Sequence, residues 1–165
     1  VKSWYLLHTK SRQEYLAKQH LERQGFESYL PLAPALRRRR GRAVRVIEPM
    51  FPRYLFIHLS DQTDNWHPIH STIGVNGLVR FGQIPARIPD ALIASLQDRE
   101  DKDGVQILVP RDYKSGERVR IMEGPLEGFE GIFQCHSGRE RVVLLLETTQ
   151  KLLKVILDSS RIESA

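Results

Sequence analysis

Cysteine is almost absent from the 165 residues. Cys135 stands alone, so no internal disulfide can form, and a reducing, cytoplasmic setting is expected. Long apolar runs are missing as well. None approaches the ~20 residues that cross a bilayer, and the apolar stretch Trp4-Tyr5-Leu6-Leu7 is too short for a secretory signal. No membrane partner is expected. Catalytic patterns are equally scarce. Cys135 and His136 are adjacent, so on a strand they point to opposite faces and cannot pair as nucleophile and base. Gly124, Gly128 and Gly131 lack the Lys-Ser/Thr of a phosphate loop, and no dinucleotide fingerprint occurs. His67 and His70 have the i,i+3 spacing of two metal ligands, but Pro68 intervenes and no third ligand cluster accompanies them. Neither catalysis nor a cofactor nor a metal is expected.

Charge is present but unevenly placed. A hydrophobic content of 41% with 27% charged residues describes a soluble globular chain. The net charge is only +5, yet residues 1–48 carry eleven Lys/Arg against four acids, an excess of seven that leaves about −2 for the rest. A first half facing a polyanion, joined to a neutral or acidic second half, fits this asymmetry. A solvated surface with no partner is the plainer alternative.

The first hundred residues read as a mixed domain. Trp4-Tyr5-Leu6-Leu7 is a short buried strand. Ser11 then offers an N-cap, with Glu14 three residues on to complete a capping box, and the helix should stop at Gly25. On that helix Ala17 and Leu21 face the sheet, while Gln13, Leu16, His20 and Arg23 share another face, with Lys10 just before it. Arg37-Arg38-Arg39-Arg40-Gly41-Arg42, between two β-leaning segments, reads as a hairpin tip suited to nucleic-acid phosphates. The next stretch, Glu48-Pro49-Met50-Phe51-Pro52-Arg53-Tyr54-Leu55-Phe56-Ile57, enters through two prolines, which suggests a sheet margin. Period two puts Tyr54 and Phe56 on one face and Leu55 and Ile57 on the other. A strand apolar on both faces needs a cover for each. Further on, residues 78–82 return to strand character, and residues 89–96 form a short helix with Leu92, Ile93 and Leu96 as its apolar stripe.

Composition shifts at residues 97–103, where six of seven side chains are charged. We divide the chain into a first domain of residues 1–100, a linker of residues 101–112 and a second domain of residues 113–165. The second is a conflict in itself. Residues 117–121 alternate, residues 142–146 and 152–157 are apolar, and three glycines with Pro125 punctuate the connection. This pattern describes a small β-barrel. Yet Val119, Met122, Leu126, Phe129 and Phe133 recur at spacings of 3, 4, 3 and 4, an amphipathic helical stripe. Pro125 in a helix interior costs ~3 kcal/mol and each glycine ~1 kcal/mol, so helix needs outside support and the barrel is favoured in isolation.

These residues carry a resemblance. Trp4-Tyr5-Leu6-Leu7 before a basic helix, the proline-aromatic strand, and Gly74-Val75 leading to Val79-Arg80-Phe81-Gly82 resemble the N-terminal domain of NusG-type transcription elongation factors. Gly116-Glu117-Arg118-Val119-Arg120-Ile121 through Gly124-Pro125-Leu126-Glu127-Gly128 to Gly131 is similar to the family's C-terminal KOW module. Within the family, His20-Leu21-Glu22-Arg23-Gln24, Arg40-Gly41-Arg42, Glu48-Pro49 and the Leu144-Leu145-Leu146 run after Arg141 are most similar to the specialised RfaH branch.

The resemblance implies an α+β architecture. An N-terminal α/β sandwich, an antiparallel sheet with flanking helices, is linked to a KOW barrel or, alternatively, to a helical hairpin packed on the first domain. It implies a monomeric, non-enzymatic elongation and antitermination factor that docks on the clamp helices of RNA polymerase and suppresses pausing. Residues matching the polymerase-docking surface are Phe51, Pro52, Tyr54, Phe56, Phe81 and Leu96. Those matching the contact with non-template DNA are Lys10, Gln13, His20 and Arg23, with Arg12 beside them and Arg40 and Arg42 on the hairpin tip. Phe129, Phe133 and Leu145 match residues that cover the docking surface, and Glu48 with Arg141 matches an interdomain salt bridge. A small-subunit ribosomal protein or Rho is the implied partner of the C-terminal domain. An RNA-binding or ribosomal KOW protein without polymerase contact is the alternative. Departures are visible: Pro125 interrupts the first helical arm, Asn65-Trp66-His67 replaces a polar run, and Ser11 and Ile73 stand at positions that are basic in the RfaH branch.

Overall fold

The computed structural model describes residues 1–107 and 127–164. Its centre is an antiparallel sheet in the order β2-β5-β1-β6, with β9 pairing β1 off that path. The strands are β1 (Lys2–Thr9), β2 (Glu27–Tyr29), β5 (Tyr54–Ser60), β6 (Val75–Leu78) and β9 (Arg87–Ile88). Two two-stranded ribbons stand apart from it: β3 (Leu32–Arg39) with β4 (Arg42–Pro49), and β7 (Arg80–Phe81) with β8 (Ile84–Pro85). The helices are α1 (Glu14–Arg23), the single turn α2 (His67–His70) and α3 (Asp90–Asp98). After the undescribed segment come a 3₁₀ turn (Glu127–Phe129), α4 (Glu130–Gln134) and the long α5 (Gly138–Ser164). Among the described residues no helix is long and apolar enough to cross a membrane.

The sheet divides two apolar cores, as the alternation along its strands requires. On one side Leu7, Leu55, Ile57 and Leu59 meet Ala17 and Leu21 of α1. On the other, Trp4, Leu6 and Phe56 meet Leu92, Ile93 and Leu96 of α3 together with Phe129, Ile132, Phe133 and Leu145. The strand that looked apolar on both faces is thus covered on both.

Several local expectations need correcting. The helix α1 starts later than Ser11: its N-cap is Gln13, and no side chain caps it. Arg12 takes φ 61° to make the turn. Glu14, freed from a capping box, is buried and accepts a hydrogen bond from the Arg53 backbone N–H at 3.2 Å. The proline-aromatic strand is interior, between β2 and β1, not marginal. Both prolines fall before the ladder, Pro49 at the end of β4 and Pro52 in the turn, so neither owes it a donor. Arg40 (φ 54°) and Gly41 (φ 77°) close the predicted arginine hairpin, the left-handed pair that suits a tight two-residue turn.

Residues 101–107, expected as linker, are laid against the first domain; residues 108–112 lie outside the described residues. Val105 bridges Leu32, the Gln106 N–H donates to the Leu32 carbonyl at 2.8 Å, and Gln106 Nε2 donates to the Leu96 carbonyl at 2.6 Å. Tyr29 donates its hydroxyl to Glu100, and burial raises its pKa far above the usual phenol range.

The described residues of the second domain show the helical of its two readings. Residues 142–146 and 152–157, which taken alone look like strands, lie within α5. The physical reason is burial. Phe129, Ile132 and Leu145 are fully buried and Phe133 nearly so, at ~1.5–3 kcal/mol each, which outweighs the ~1 kcal/mol that each helical glycine costs. The glycines are also where the pieces touch most closely. A Cβ on Gly128 would lie 2.4 Å from Thr148 Cγ2, and one on Gly131 would lie 2.7 Å from Leu144 Cδ2. The first three members of the stripe, Val119, Met122 and Leu126, lie outside the described residues.

Candidate functional site

The docking surface implied by the aromatic residues is brought together, and it is covered. Phe51, Phe56 and Leu96 are buried, while Tyr54 and Phe81 are partly buried against the same cluster. Phe51 and Phe56 meet edge to face with centroids 5.8 Å apart, and Tyr29 stacks on Phe56 at 6.2 Å. Burial raises the Tyr54 phenol pKa, and nearby Arg53 partly opposes this. Over this face lie the 3₁₀ turn, α4 and the first half of α5, with Arg141, Leu145, Thr148, Thr149 and then Leu152 along the inner side of α5. The pattern follows helical periodicity.

Three polar or close contacts fasten the cover. Arg141 Nε donates to the Met50 carbonyl at 2.8 Å, and its Nη1 to the Cys135 carbonyl at 3.1 Å. Desolvation lowers the Arg141 pKa, opposed by Cys135, Glu48 and Glu140 nearby. The Arg99 guanidinium sits 3.9 Å from the centre of the Phe133 ring. Gly138, at the start of α5, lies against Pro52: a Cβ there would be 2.5 Å from the ring carbons Cγ and Cδ.

The expected Glu48–Arg141 ion pair is not formed. Glu48 is taken by Arg37 in a two-pronged pair, Nε to Oε1 and Nη2 to Oε2, both at 2.6 Å. Ala33 pairs Glu48 and Arg37 pairs Val44, so Arg37 and Glu48 lie on one face of the ribbon four pairs apart, and their side chains meet by reaching along it. A planar guanidinium is then satisfied locally, and the hydrogen bond to Glu48 followed by its charge raises the Arg37 pKa. Arg141 is instead paired with main-chain oxygens.

The residues implied for DNA sit on two elements. Lys10, Arg12 and Gln13 form the β1–α1 turn, and His20 and Arg23 end α1. Arg40 and Arg42 are at the exposed tip of the β3–β4 ribbon. Gly74 supports the first group: at φ 88° its ideal Cβ would lie 3.0 Å from the Ala17 N and 3.1 Å from the Gln13 O, so only glycine lets this loop abut α1. Lys10 donates its N–H to the Gly74 carbonyl at 2.8 Å. Among the described residues no His/Cys/Asp/Glu group could hold a metal, and His67 and His70 lie on α2 with Ile69 buried between them.

Sequence reasoning missed the Met50 carbonyl, Arg99 and Gly138. A main-chain acceptor leaves no trace in composition, Arg99 was hidden in a charge-rich stretch that reads as linker, and a glycine in a turn-rich segment does not reveal its neighbour.

With this geometry in place, comparison with known proteins is direct. A family model described as "Transcription termination factor nusG" matches residues 2–97. Proteins named "Transcription termination/antitermination protein NusG" are similar along most of the chain. That of Thermus thermophilus is 25% identical over 98% of this chain and 98% of its own. That of Rickettsia prowazekii is 23% identical over 100% and 91%, and that of Haemophilus influenzae 27% over 79% and 76%. A solved structure titled "Domain interaction in Thermotoga maritima NusG" aligns at 22% identity over 70% of each chain with a TM-score of 0.42. The sheet domain, with its aromatic face and basic helix, is the part the family model covers, and the chain belongs to the NusG family.

Proposed function

We propose that this protein is a transcription elongation and antitermination factor held in a closed form by its own C-terminal helices. Its aromatic face, Phe51, Pro52, Tyr54, Phe56, Phe81 and Leu96, docks on the clamp helices of RNA polymerase. The turn of Lys10, Arg12 and Gln13, the end of α1 at His20 and Arg23, and the ribbon tip at Arg40 and Arg42 contact the non-template DNA strand. The observation that carries the reading is that α4 and α5 bury that face with Phe129, Phe133 and Leu145, which sequence alone matched to a covering role. Closure limits access to polymerase, because a partner that needs this face binds only the open fraction. Released, the C-terminal segment is free to recruit a small-subunit ribosomal protein or Rho.

The test uses the full chain. Phe133→Glu places a charge in the covered seam and undocks the helices. RNA polymerase should then bind at least about tenfold more tightly than to the wild type, and adding Tyr54→Ala should remove that gain. Equal affinity of Phe133→Glu and wild type would reject closure as a mask. Strong polymerase binding that ignores Tyr54→Ala would move the contact elsewhere, and no polymerase binding by either variant would favour a nucleic-acid-binding KOW protein.

A further inference from the structure

Where the β3–β4 ribbon meets the turn between α4 and α5, the two units border a half-open cleft of about 600 Å³. Its walls are of two kinds. Pro34, Ala35 and Leu36 supply an apolar side, and Arg37, Arg45, Arg141 and His136 supply cationic and polar groups. One carboxylate, Glu48, stands against three guanidinium groups. Among the described residues Glu48 engages only Arg37, and Arg45 has no ion pair. The first turn of α5 opens onto the same space, since Gly138 lines it and Ser137 caps the helix, accepting the Glu140 N–H on its hydroxyl at 3.2 Å. The positive end of a 27-residue helix adds to the potential there. A volume of this size, apolar on one side with convergent polar groups on the other, has the shape of a small-molecule site.

We infer that this cleft is a binding site for a small organic phosphate of the nucleoside diphosphate class. The phosphates pair with Arg45 and compete with Glu48 for Arg37, as guanidinium groups favour two-pronged contact with phosphate oxygens. The base or sugar lies against Pro34, Ala35 and Leu36. Because Arg37 and Arg45 belong to the ribbon while His136 and Arg141 belong to the α4–α5 turn and to α5, the ligand touches both units. It therefore stabilises their docked arrangement by its preference for that state. The site follows from the docked geometry alone and does not depend on what the aromatic face binds once open.

Titration of the full chain with ADP, pyrophosphate and adenosine, followed by amide NMR, tests this. ADP should shift the signals of residues 35–37 and 136–138 saturably, and amide exchange at residues 129–134 should slow. Arg45→Gln should weaken ADP by about tenfold or more, while Arg40→Gln at the ribbon tip should leave it unchanged. Tighter binding of ADP than of pyrophosphate supports the nucleotide assignment, and pyrophosphate binding as tightly as ADP would overturn it, since the apolar wall would then contribute nothing. Shifts centred on the ribbon tip and lost in Arg40→Gln would overturn it. So would adenosine binding as well as ADP, ADP affinity unchanged in Arg45→Gln, or no saturable shift.

Discussion

Arg141 decides the seam at the scale of single residues. Its guanidinium is buried and satisfied by two carbonyls, one from each unit. Truncating it strands both oxygens, at ~1–3 kcal/mol for each buried unsatisfied group. Glu48, by contrast, is in a partly exposed pair with Arg37, and such pairs contribute ~0–1 kcal/mol. Arg141→Met should therefore speed hydrogen–deuterium exchange at residues 129–134 by tenfold or so, while Glu48→Ala changes it little. The reverse ranking would mean that the carboxylate is the latch after all.

His8 gives a second prediction at this scale. Desolvation, then the charge of Arg53, lower its pKa below 6.5, and its Nδ1 lies 3.0 Å from the Asn76 amide. In the folded protein the neutral ring is preferred, so below pH 6.5 the unfolded chain binds more protons. This contribution to stability is complete above the unfolded value and is lost as pH falls through the lowered folded one. The drop in Tm between about pH 7.5 and about pH 5.5 should thus be smaller in His8→Gln than in the wild type, since the reference imidazole titrates near 6.5. An identical drop would show that His8 protonates equally in both states.

At the scale of elements, α5 and the proline turn are fitted to each other. Gly138 lacks a Cβ where the Pro52 ring leaves no room. Alanine is the better helix former by ~1 kcal/mol, so Gly138→Ala should favour α5 locally while pushing it off Pro52. The variant should keep its helical circular dichroism yet show faster amide exchange at residues 129–134. Exchange as slow as in the wild type would mean the helix slides enough to absorb the methyl. A methyl is thus expected to separate helix formation from docking, two things the burial of Phe129 and Phe133 otherwise couples.

For the whole molecule, the two faces of the sheet are covered in different ways. The α1 side is filled permanently by Ala17 and Leu21, whereas the α3 side is completed by the C-terminal helices. Remove that cover's partner and the balance changes. Phe129 and Phe133 lose their burial, while a helix would still bear the cost of its glycines. The isolated fragment of residues 113–165 should therefore show β-type circular dichroism, although residues 138–164 are helical in the full chain. A helical spectrum from the fragment would mean that the sequence, not the docking, sets the helix. A switch of that kind needs two packings within a few kcal/mol of each other.

How much of this was legible in the sequence follows from where the determinants lie. Period-two alternation placed Leu55 and Ile57 on one face and Tyr54 and Phe56 on the other, and the structure puts them in opposite cores. Gly25 at φ 91° follows α1, and the arginine run folds as a tight ribbon with Gly41 at its tip. These are local properties, fixed by backbone sterics and by which side chains sit within a few residues of one another. Three things were decided only by tertiary contact. Residues 127–134 and 138–164 are helical because the aromatic face of the sheet offers Phe129, Phe133 and Leu145 a burial that they cannot find alone. Arg141 finds a main-chain carbonyl of Met50, ninety-one positions away, while Glu48 is already held by Arg37. Residues 101–107 join the first domain because β3 and α3 present Leu32 and Leu96 carbonyls that Gln106 can satisfy. The sequence by itself determined the proline-aromatic strand and both its faces. What covers the second face was settled by the fold, since burial is a property of two surfaces and only one of them is written in the strand.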